Sequence, residues 1–195
     1  MNTTDTQFDE KLRQVFKKFN PFMIWMWRLG LRRWVNAWPA VGGRIMVILH
    51  TGRKSGLRRL TPVNYAIVDG EIYCTAGFGP ATDWYQNILA NPQVEIWLPD
   101  SRYTGIAEDI SEADNRLPLL RQVIIASGIV APAMGINPHK LSDEDFDQVT
   151  RSYRLVRIHP RGLLAGSGGP GDLAWIWLPI LAVAVLLMRR RRKRA

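Results

Sequence analysis

The chain has 195 residues, 47% of them hydrophobic, and a formal net charge of +9, which suits one soluble domain with short additions. Its single cysteine, Cys74, excludes an internal disulfide, and its three widely spaced histidines show no metal-ligand pattern. Six positive charges lie in residues 189–194, so the rest of the chain carries only +3 (9 − 6). This terminal cluster excludes a nucleic-acid footprint spread over the domain and indicates a membrane surface as partner.

Residues 1–40 are predicted to form an N-terminal amphipathic segment that contacts a membrane interface or packs over the domain. A first helix, with apolar residues recurring on one face, is predicted to end or kink at Pro21. Residues 22–34 contain three tryptophans and three arginines, a combination that favours the headgroup layer but is too short and too charged to span a bilayer. The segment does not resemble a signal peptide, because it lacks a clean apolar core and a small-residue cleavage site.

Six short runs of apolar and β-branched residues are predicted to be strands. They cover residues 44–49, 60–68, 71–75, 94–98, 103–108 and 154–158. The Asp69-Gly70 pair between the second and third runs is a strong signal for a two-residue hairpin. Helices are predicted at residues 83–90, at residues 111–127 and from Ser142 onward. Short antiparallel strands with inserted helices predict an α+β domain over residues 41–162, and closure into a barrel would remove its exposed edges.

A basic loop lies between the first two predicted strands. Its sequence from residue 50 to residue 62 is HTGRKSGLRRLTP, with four cations, two glycines and a serine. Glycine permits backbone N–H groups to turn inward as an anion nest, and arginine offers a planar donor fork for phosphate or carboxylate. The loop is therefore predicted to bind the anionic tail of a cofactor, or else to be a solvated turn. It does not have Walker A spacing.

Three motifs in order, "HTGRKSGLRRLTPV", "DGEIY" and "DWYQNILANPQVEI", resemble the deazaflavin-dependent nitroreductase family. The resemblance covers residues 44–109, although one threonine of the usual "TTGRKSG" is missing before Gly52. It implies a split β-barrel of about six antiparallel strands that binds coenzyme F-420, a 5-deazaflavin with a phosphate and an oligoglutamate tail. It also implies an oxidoreductase that reduces quinones or nitro-aromatics and needs no catalytic nucleophile.

The resemblance also implies which positions hold the cofactor. The anionic tail would lie on Arg53, Lys54, Ser55 and Arg59, and the next positions would follow the tail or the ring edge: Thr61, Pro62, Val63 and Asn64. The ring system would lie along the backbone of Thr75, Ala76, Gly77 and Phe78, and the pocket would be completed by Asp83, Trp84 and Asn87. Residues 131–139 or 22–38 would face the acceptor.

Two other functions stay open on the sequence alone. A membrane-tethered module could hold a flavin or deazaflavin without turnover. A similar barrel could instead use FMN as a reductase, but FMN lacks the glutamate tail and would leave part of the basic loop unused.

The C-terminal part is predicted to be a linker followed by a membrane-associated helix. Residues 163–172 are glycine-rich, and residues 173–195 contain 16 uncharged, mostly apolar residues before a polybasic end. Such a helix would extend ~24 Å, short of a ~30 Å hydrocarbon core, so it would either span with snorkelling arginines or insert shallowly. The positive-inside rule conflicts with a cytoplasmic cofactor if the helix spans. We expect a cell-membrane protein with its catalytic domain on the cytoplasmic face.

Overall fold

A closed barrel of six antiparallel strands forms the centre of the structure, a computed structural model that describes residues 3–166 and 168–192. The strands are β1 (Ile45–Thr51), β2 (Arg58–Val68), β3 (Glu71–Ala76), β4 (Gln93–Trp97), β5 (Arg102–Asp109) and β6 (Arg154–Leu163). They follow the order β1-β2-β3-β6-β5-β4 around the barrel. The predicted α+β fold with six antiparallel strands is therefore confirmed.

Eight α-helices are found in the described residues, together with a 3-10 turn at Ala174–Ile176. The helices are α1 (Thr3–Arg28), α2 (Arg32–Val35), α3 (Pro39–Gly42), α4 (Asp83–Ala90), α5 (Arg116–Ala126), α6 (Val130–Ala133), α7 (Asp143–Thr150) and α8 (Trp177–Arg192). Helices α5 and α7 supply Leu120 and Phe146 to an apolar cluster with Ala66 of β2 and Leu155 of β6. A separate cluster that includes Ile48 and Ile96 is contributed largely by the strands and by α4.

Strands β2 and β3 pair over only part of their length, and this leaves a gap between them on one side of the closed barrel. Both residues of their turn have positive φ, 52° at Asp69 and 81° at Gly70, as the predicted two-residue hairpin requires. The ladder runs from Val68↔Glu71 to Tyr65↔Cys74 and then stops. Beyond it, residues 58–64 of β2 pair only with β1, and Thr75 and Ala76 of β3 pair only with β6. The facing edges of β2 and β3 are therefore open to a ligand.

Helix α1 continues through Pro21 to Arg28, so the prediction that it ends there is wrong. Proline removes one backbone hydrogen bond and disfavours a continuous helix. Here the residues after Pro21 gain tertiary packing: Met23 is buried, and Trp27 is fully buried against Val47, Leu49 and Trp97. That packing holds the second half of α1 on the outside of the barrel.

The segment before α8 is docked on the end of α1. The guanidinium of Arg28 donates to both carboxylate oxygens of Asp172, with the shortest distance at 2.8 Å. The N–H groups of Gly171 and Leu173 donate to the carbonyls of Trp27 and Arg28 at 3.0 and 2.9 Å. These bonds satisfy carbonyls that the end of a helix would otherwise leave without partners.

The expected transmembrane helix is not found. Residues 174–176 form a separate 3-10 turn, so α8 begins only at Trp177 and its apolar part is correspondingly short. In the ranges that the structure describes, no helix is both long and apolar enough to cross a membrane. Of the polybasic end, Lys193 and Arg194 lie outside the described residues, as does Ser167 of the predicted linker.

Candidate functional site

A cavity of about 800 Å³ opens where β2 and β3 separate. Its wall includes the open edges of both strands, the basic loop, the start of α4 and the region around α5 and α6. The structure brings to this one cavity all of the residues predicted for the cofactor: Arg53, Lys54, Ser55, Arg59, Thr61, Pro62, Val63, Asn64, Thr75, Ala76, Gly77, Phe78, Asp83, Trp84 and Asn87. Their contact with a cofactor stays a prediction.

The basic loop does not form the full anion nest that was predicted, because most of its backbone N–H groups bond within the protein. The N–H groups of Ser55 and Gly56 both donate to the carbonyl of Gly52, at 3.2 and 2.8 Å. The N–H of Leu57 donates to Ser55 Oγ at 3.3 Å, and that of Arg53 donates to Asn87 Oδ1 at 3.0 Å. Anion binding at this loop therefore falls to its side chains.

The three cations at the cavity differ in their partners. Arg53 joins the loop to α4, since its guanidinium donates to Asp83 Oδ1 at 3.1 Å and to Asn87 Oδ1 at 3.0 Å. Lys54 and Arg59 have no acidic partner among the described residues. These two side chains leave positive charge available for an anionic ligand, and Arg53 fixes the loop that carries them.

A buried histidine lies beside this cationic end. His50 stands at the end of β1, with Nδ1 3.2 Å from Asn87 Nδ2 and Nε2 3.0 Å from Thr61 Oγ1. Burial, aided by the nearby positive charge of Arg59, lowers the pKa of His50 to about 4. The imidazole is therefore neutral at neutral pH, and its two ring nitrogens have distinct hydrogen-bonding roles.

Another part of the cavity wall is apolar. It is formed by Val123 and Ile124 of α5, Ala131 of α6, and Met134 and Ile136 just after α6. Three of these five lie within residues 131–139, one of the two segments predicted to face the acceptor. Residues 22–38, the other segment, do not border the cavity, and among the described side chains of α1 only Asn20 does.

Sequence reasoning missed His50 and the part of the apolar wall that α5 supplies, Val123 and Ile124. His50 directly precedes the basic loop in a strand, so its position was a usable signal. These two residues gave no comparable signal, because α5 follows β5 in the chain and reaches β2 only through tertiary packing. Just after α5, Gly128 packs closely on the α3 segment: its φ is +62°, and a Cβ there would lie 2.8 Å from the backbone of Gly43 and Pro39.

Metal and thiol chemistry find no support in the described part of the chain. No group of three or more His, Cys, Asp or Glu side chains is placed to hold a metal ion there. Cys74 is completely buried, and desolvation raises the pKa of its thiol far above the ordinary range. A thiol that stays protonated is a poor nucleophile.

The cavity fits a planar cofactor with an anionic tail. Its lining combines unpaired cations, open strand edges with backbone donors and acceptors, and apolar side chains. Its volume is within the range of cofactor sites, roughly 300–1,000 Å³. Fold and site together define a small barrel protein that binds a flavin-like cofactor.

The chain belongs to the family described as "F420H(2)-dependent quinone reductase", whose model matches residues 29–128, about half of the chain. No curated protein sequence matches it significantly. The family match confirms the predicted enzyme class and the cofactor. The protein is an oxidoreductase that depends on coenzyme F-420, and the alternatives of an FMN enzyme or a module without turnover are not supported.

Several solved structures share similarity with the barrel. An F420-H2-dependent reductase (FDR-A) is 21% identical over 60% of this chain and 94% of its own, with a TM-score of 0.46. A conserved hypothetical protein from Mycobacterium tuberculosis is 22% identical over 74% of this chain and 92% of its own, with a TM-score of 0.45. The haem storage protein HutZ of Vibrio cholerae is 12% identical over 65% and 88%, also at 0.45. The family assignment rests on the matched sequence alone.

Proposed function

We propose that the cavity binds reduced coenzyme F-420 with its anionic tail on Lys54, Arg59 and Ser55 and its ring system between the open edges of β2 and β3. The observation that carries this proposal is the lining of the cavity, which combines unpaired cations with an apolar wall. The bound cofactor supplies a hydride. The protein's part is to fix the ring against the acceptor and to exclude water from the contact.

The residues around the gap can do this without acid–base chemistry of their own. Thr75, Ala76 and Gly77 present backbone groups at the open edge of β3, and Pro62 leaves the edge of β2 without an N–H at its position. The ring of Tyr153 comes within 3.5 Å of the position of a Cβ on Gly77, so a flat group near Gly77 would meet an aromatic surface. We assign no catalytic nucleophile.

The acceptor is proposed to be a lipophilic quinone that lies on the apolar wall. Met134 is half-buried there, and Val123 and Ile124 are buried behind it. An apolar wall favours a substrate that leaves water when it binds. A nitro-aromatic is the other acceptor class, and it would use the same wall. The acceptor takes up the hydride together with a proton from water, which yields the hydroquinone from a quinone.

The test is steady-state turnover of the full chain with reduced F-420 and, in separate assays, a prenylated quinone, its unprenylated parent and a nitro-aromatic. We expect Met134→Gln to raise KM for the prenylated quinone about three- to tenfold, because it places an amide on the apolar wall. Cofactor affinity should not change. The matched control is Ile129→Gln, since Ile129 is exposed and does not border the cavity. Equal effects of the two variants would argue against the wall as the acceptor site.

We further propose that the protein attaches to the cytoplasmic face of the cell membrane through its two ends. Trp25, Trp34 and Trp38 are exposed at one end, and Trp175 and Trp177 at the other. Tryptophan and arginine together favour the headgroup layer, and the Arg28–Asp172 ion pair holds the two ends side by side. Trp177 Nε1 also donates to the carbonyl of Leu29 at 2.9 Å.

Vesicle co-sedimentation of the full chain tests this attachment. Binding to vesicles with anionic lipid should exceed binding to zwitterionic vesicles and should weaken as salt is added. The cytoplasmic placement is tested by protease accessibility, which should be seen in inside-out membrane vesicles and not in intact cells. Equal amounts of protein in the pellet with and without vesicles would contradict the attachment. Cleavage of the protein in intact cells would contradict the cytoplasmic placement.

A further inference from the structure

We infer that His50 is a positioning residue that fixes the Thr61 hydroxyl as a hydrogen-bond donor toward the cofactor. This inference rests on the proposed function, since it requires acceptor atoms of the cofactor beside Thr61. His50 is 4% exposed and borders the cavity, and it faces Arg59 across the β1–β2 pair. No role in hydride transfer is assigned to it.

The direction of each hydrogen bond follows from Arg53. Asn87 Oδ1 accepts from the N–H and from Nη1 of Arg53, both at 3.0 Å. Two donors on that atom identify it as the oxygen, so the amide nitrogen of Asn87 faces His50 Nδ1 at 3.2 Å. An amide NH2 can only donate, and Nδ1 must therefore be the unprotonated nitrogen of the ring.

The remaining proton of the neutral imidazole is then on Nε2. That N–H donates to Thr61 Oγ1, which lies 3.0 Å away. With its oxygen accepting from His50, Thr61 has its hydroxyl hydrogen available for another acceptor, and Thr61 borders the cavity. The chain of bonds thus runs from the basic loop through Asn87 and His50 to β2.

As a consequence, two hydrogen-bond donors, the Thr61 hydroxyl and the Arg59 guanidinium, lie near each other on the cavity wall. Thr61 is on the same strand as Arg59, two residues away, and both border the cavity. A ligand oxygen without a hydrogen, in a phosphate, a carboxylate or a ring carbonyl, suits such a wall. A ligand group that itself donates at this position would find only one remaining lone pair on Thr61 Oγ1, since the other accepts from His50. His50 therefore contributes to selectivity without touching the reacting atoms.

The first experiment measures the tautomer in the protein without cofactor. Nitrogen-15 NMR of the full chain should show Nδ1 of His50 unprotonated and Nε2 protonated at neutral pH, with the signals assigned by their loss in His50→Gln. Protonation at Nδ1, alone or together with Nε2, would overturn the inference. This readout does not depend on activity or on cofactor binding.

The second experiment is a double-mutant cycle on F-420 affinity, measured by fluorescence titration. Thr61→Val and His50→Leu should each weaken binding by about tenfold. In the Thr61→Val chain, His50→Leu should add less than about a twofold loss, because its effect passes through the hydroxyl. His50→Gln keeps an N–H that can reach Thr61 and should restore affinity to within about threefold of the wild type. Additive losses would show a purely structural role and overturn the inference.

Failure of the proposed function would look different. If the wild-type chain does not bind F-420, the cofactor placement fails whatever the tautomer is. If it binds F-420 and the cycle is additive, only the role of His50 fails. Should His50→Leu fold poorly, His50→Phe, which also lacks the ring nitrogens, replaces it in the cycle with Thr61→Val and is scored in the same way.

Discussion

At the scale of single residues, two neighbouring arginines at the start of β2 have separate environments. Successive side chains of a strand point to opposite faces, so Arg59 borders the large cavity and Arg58 does not. Arg58 is exposed and bonds to Glu95 Oε2 at 2.8 Å. The pair allows positive charge at the site to be compared with positive charge outside it, one residue away in the chain.

We predict that Arg59→Ala weakens F-420 binding by about 10- to 150-fold, the loss of one charge-assisted hydrogen bond of ~1.5–3 kcal/mol. Arg58→Ala should change affinity by less than about twofold, because Arg58 does not border the cavity and its bond to Glu95 lies outside it. Fluorescence titration of the full chain measures both constants. Similar losses in the two variants would mean that the effect is a general response to net charge.

The residues of the candidate site were predictable from the sequence, but their bonds were not. Arg53, Lys54 and Arg59 were identified from the loop composition and the family resemblance. Whether a backbone N–H points inward depends on competing partners, and here the Gly52 carbonyl and Asn87 satisfy those of residues 53, 55 and 56. The bonds to Gly52 are local to the loop, whereas the bond to Asn87 forms only once the loop has met α4, some 30 residues further along the chain.

At the scale of elements, the docking of the C-terminal segment on α1 could not be predicted from the composition of that segment. Residues 163–172 look like a flexible linker, yet Gly171, Asp172 and Leu173 all bond to the last turn of α1. Asp172 also raises the pKa of Arg28 through its hydrogen bonds to the guanidinium. The end of the predicted linker is therefore held on α1 by hydrogen bonds.

We predict that Asp172→Ala loosens this docking locally. The amides of Gly171 and Leu173 should exchange their hydrogens about three- to tenfold faster, as expected for the loss of one partly exposed ion pair. Hydrogen-exchange mass spectrometry of the full chain measures the change. Asp100→Ala is the matched control, because Asp100 forms a 2.9 Å pair with Arg33 in which both side chains are largely exposed. If the control speeds the same amides, the ion pair does not hold the segment.

The strands and short helices were predictable because their signals are local. Asp69-Gly70 fixes a hairpin whatever surrounds it, and Ser142 accepts a hydrogen bond from the N–H of Asp145 as an N-cap should. The continuation of α1 through Pro21 was not predictable, since the burial of Trp27 against β1 and β4 outweighs a local preference. Tertiary packing decides such cases.

At the scale of the whole molecule, stability is tied to pH through a histidine in the barrel. The pKa of His50 is about 4 in the folded protein, below its ordinary value of 6.5. As pH falls through this range, the unfolded chain takes up the proton first. The contribution of His50 to the stability of the folded state is therefore fully present above pH 6.5, and it is lost as the pH falls toward 4.

We predict that the wild type loses on the order of 3 kcal/mol of unfolding free energy between pH 6.5 and 4 through His50. His50→Gln should lack this contribution, so the stability difference between the two proteins should shift toward the variant as pH falls. Urea unfolding at several pH values gives the two curves. Parallel curves would show that His50 does not titrate differently on folding.

The separation of β2 and β3 has a consequence for how the protein behaves in a cell. Strand edges without partners are templates for pairing with another chain, and this barrel has two of them facing one gap. A ligand that binds between them stabilises the fold in proportion to the logarithm of its concentration. Supply of the deazaflavin should therefore govern the yield of soluble protein as well as its activity, so that a host lacking the coenzyme would give more aggregated material.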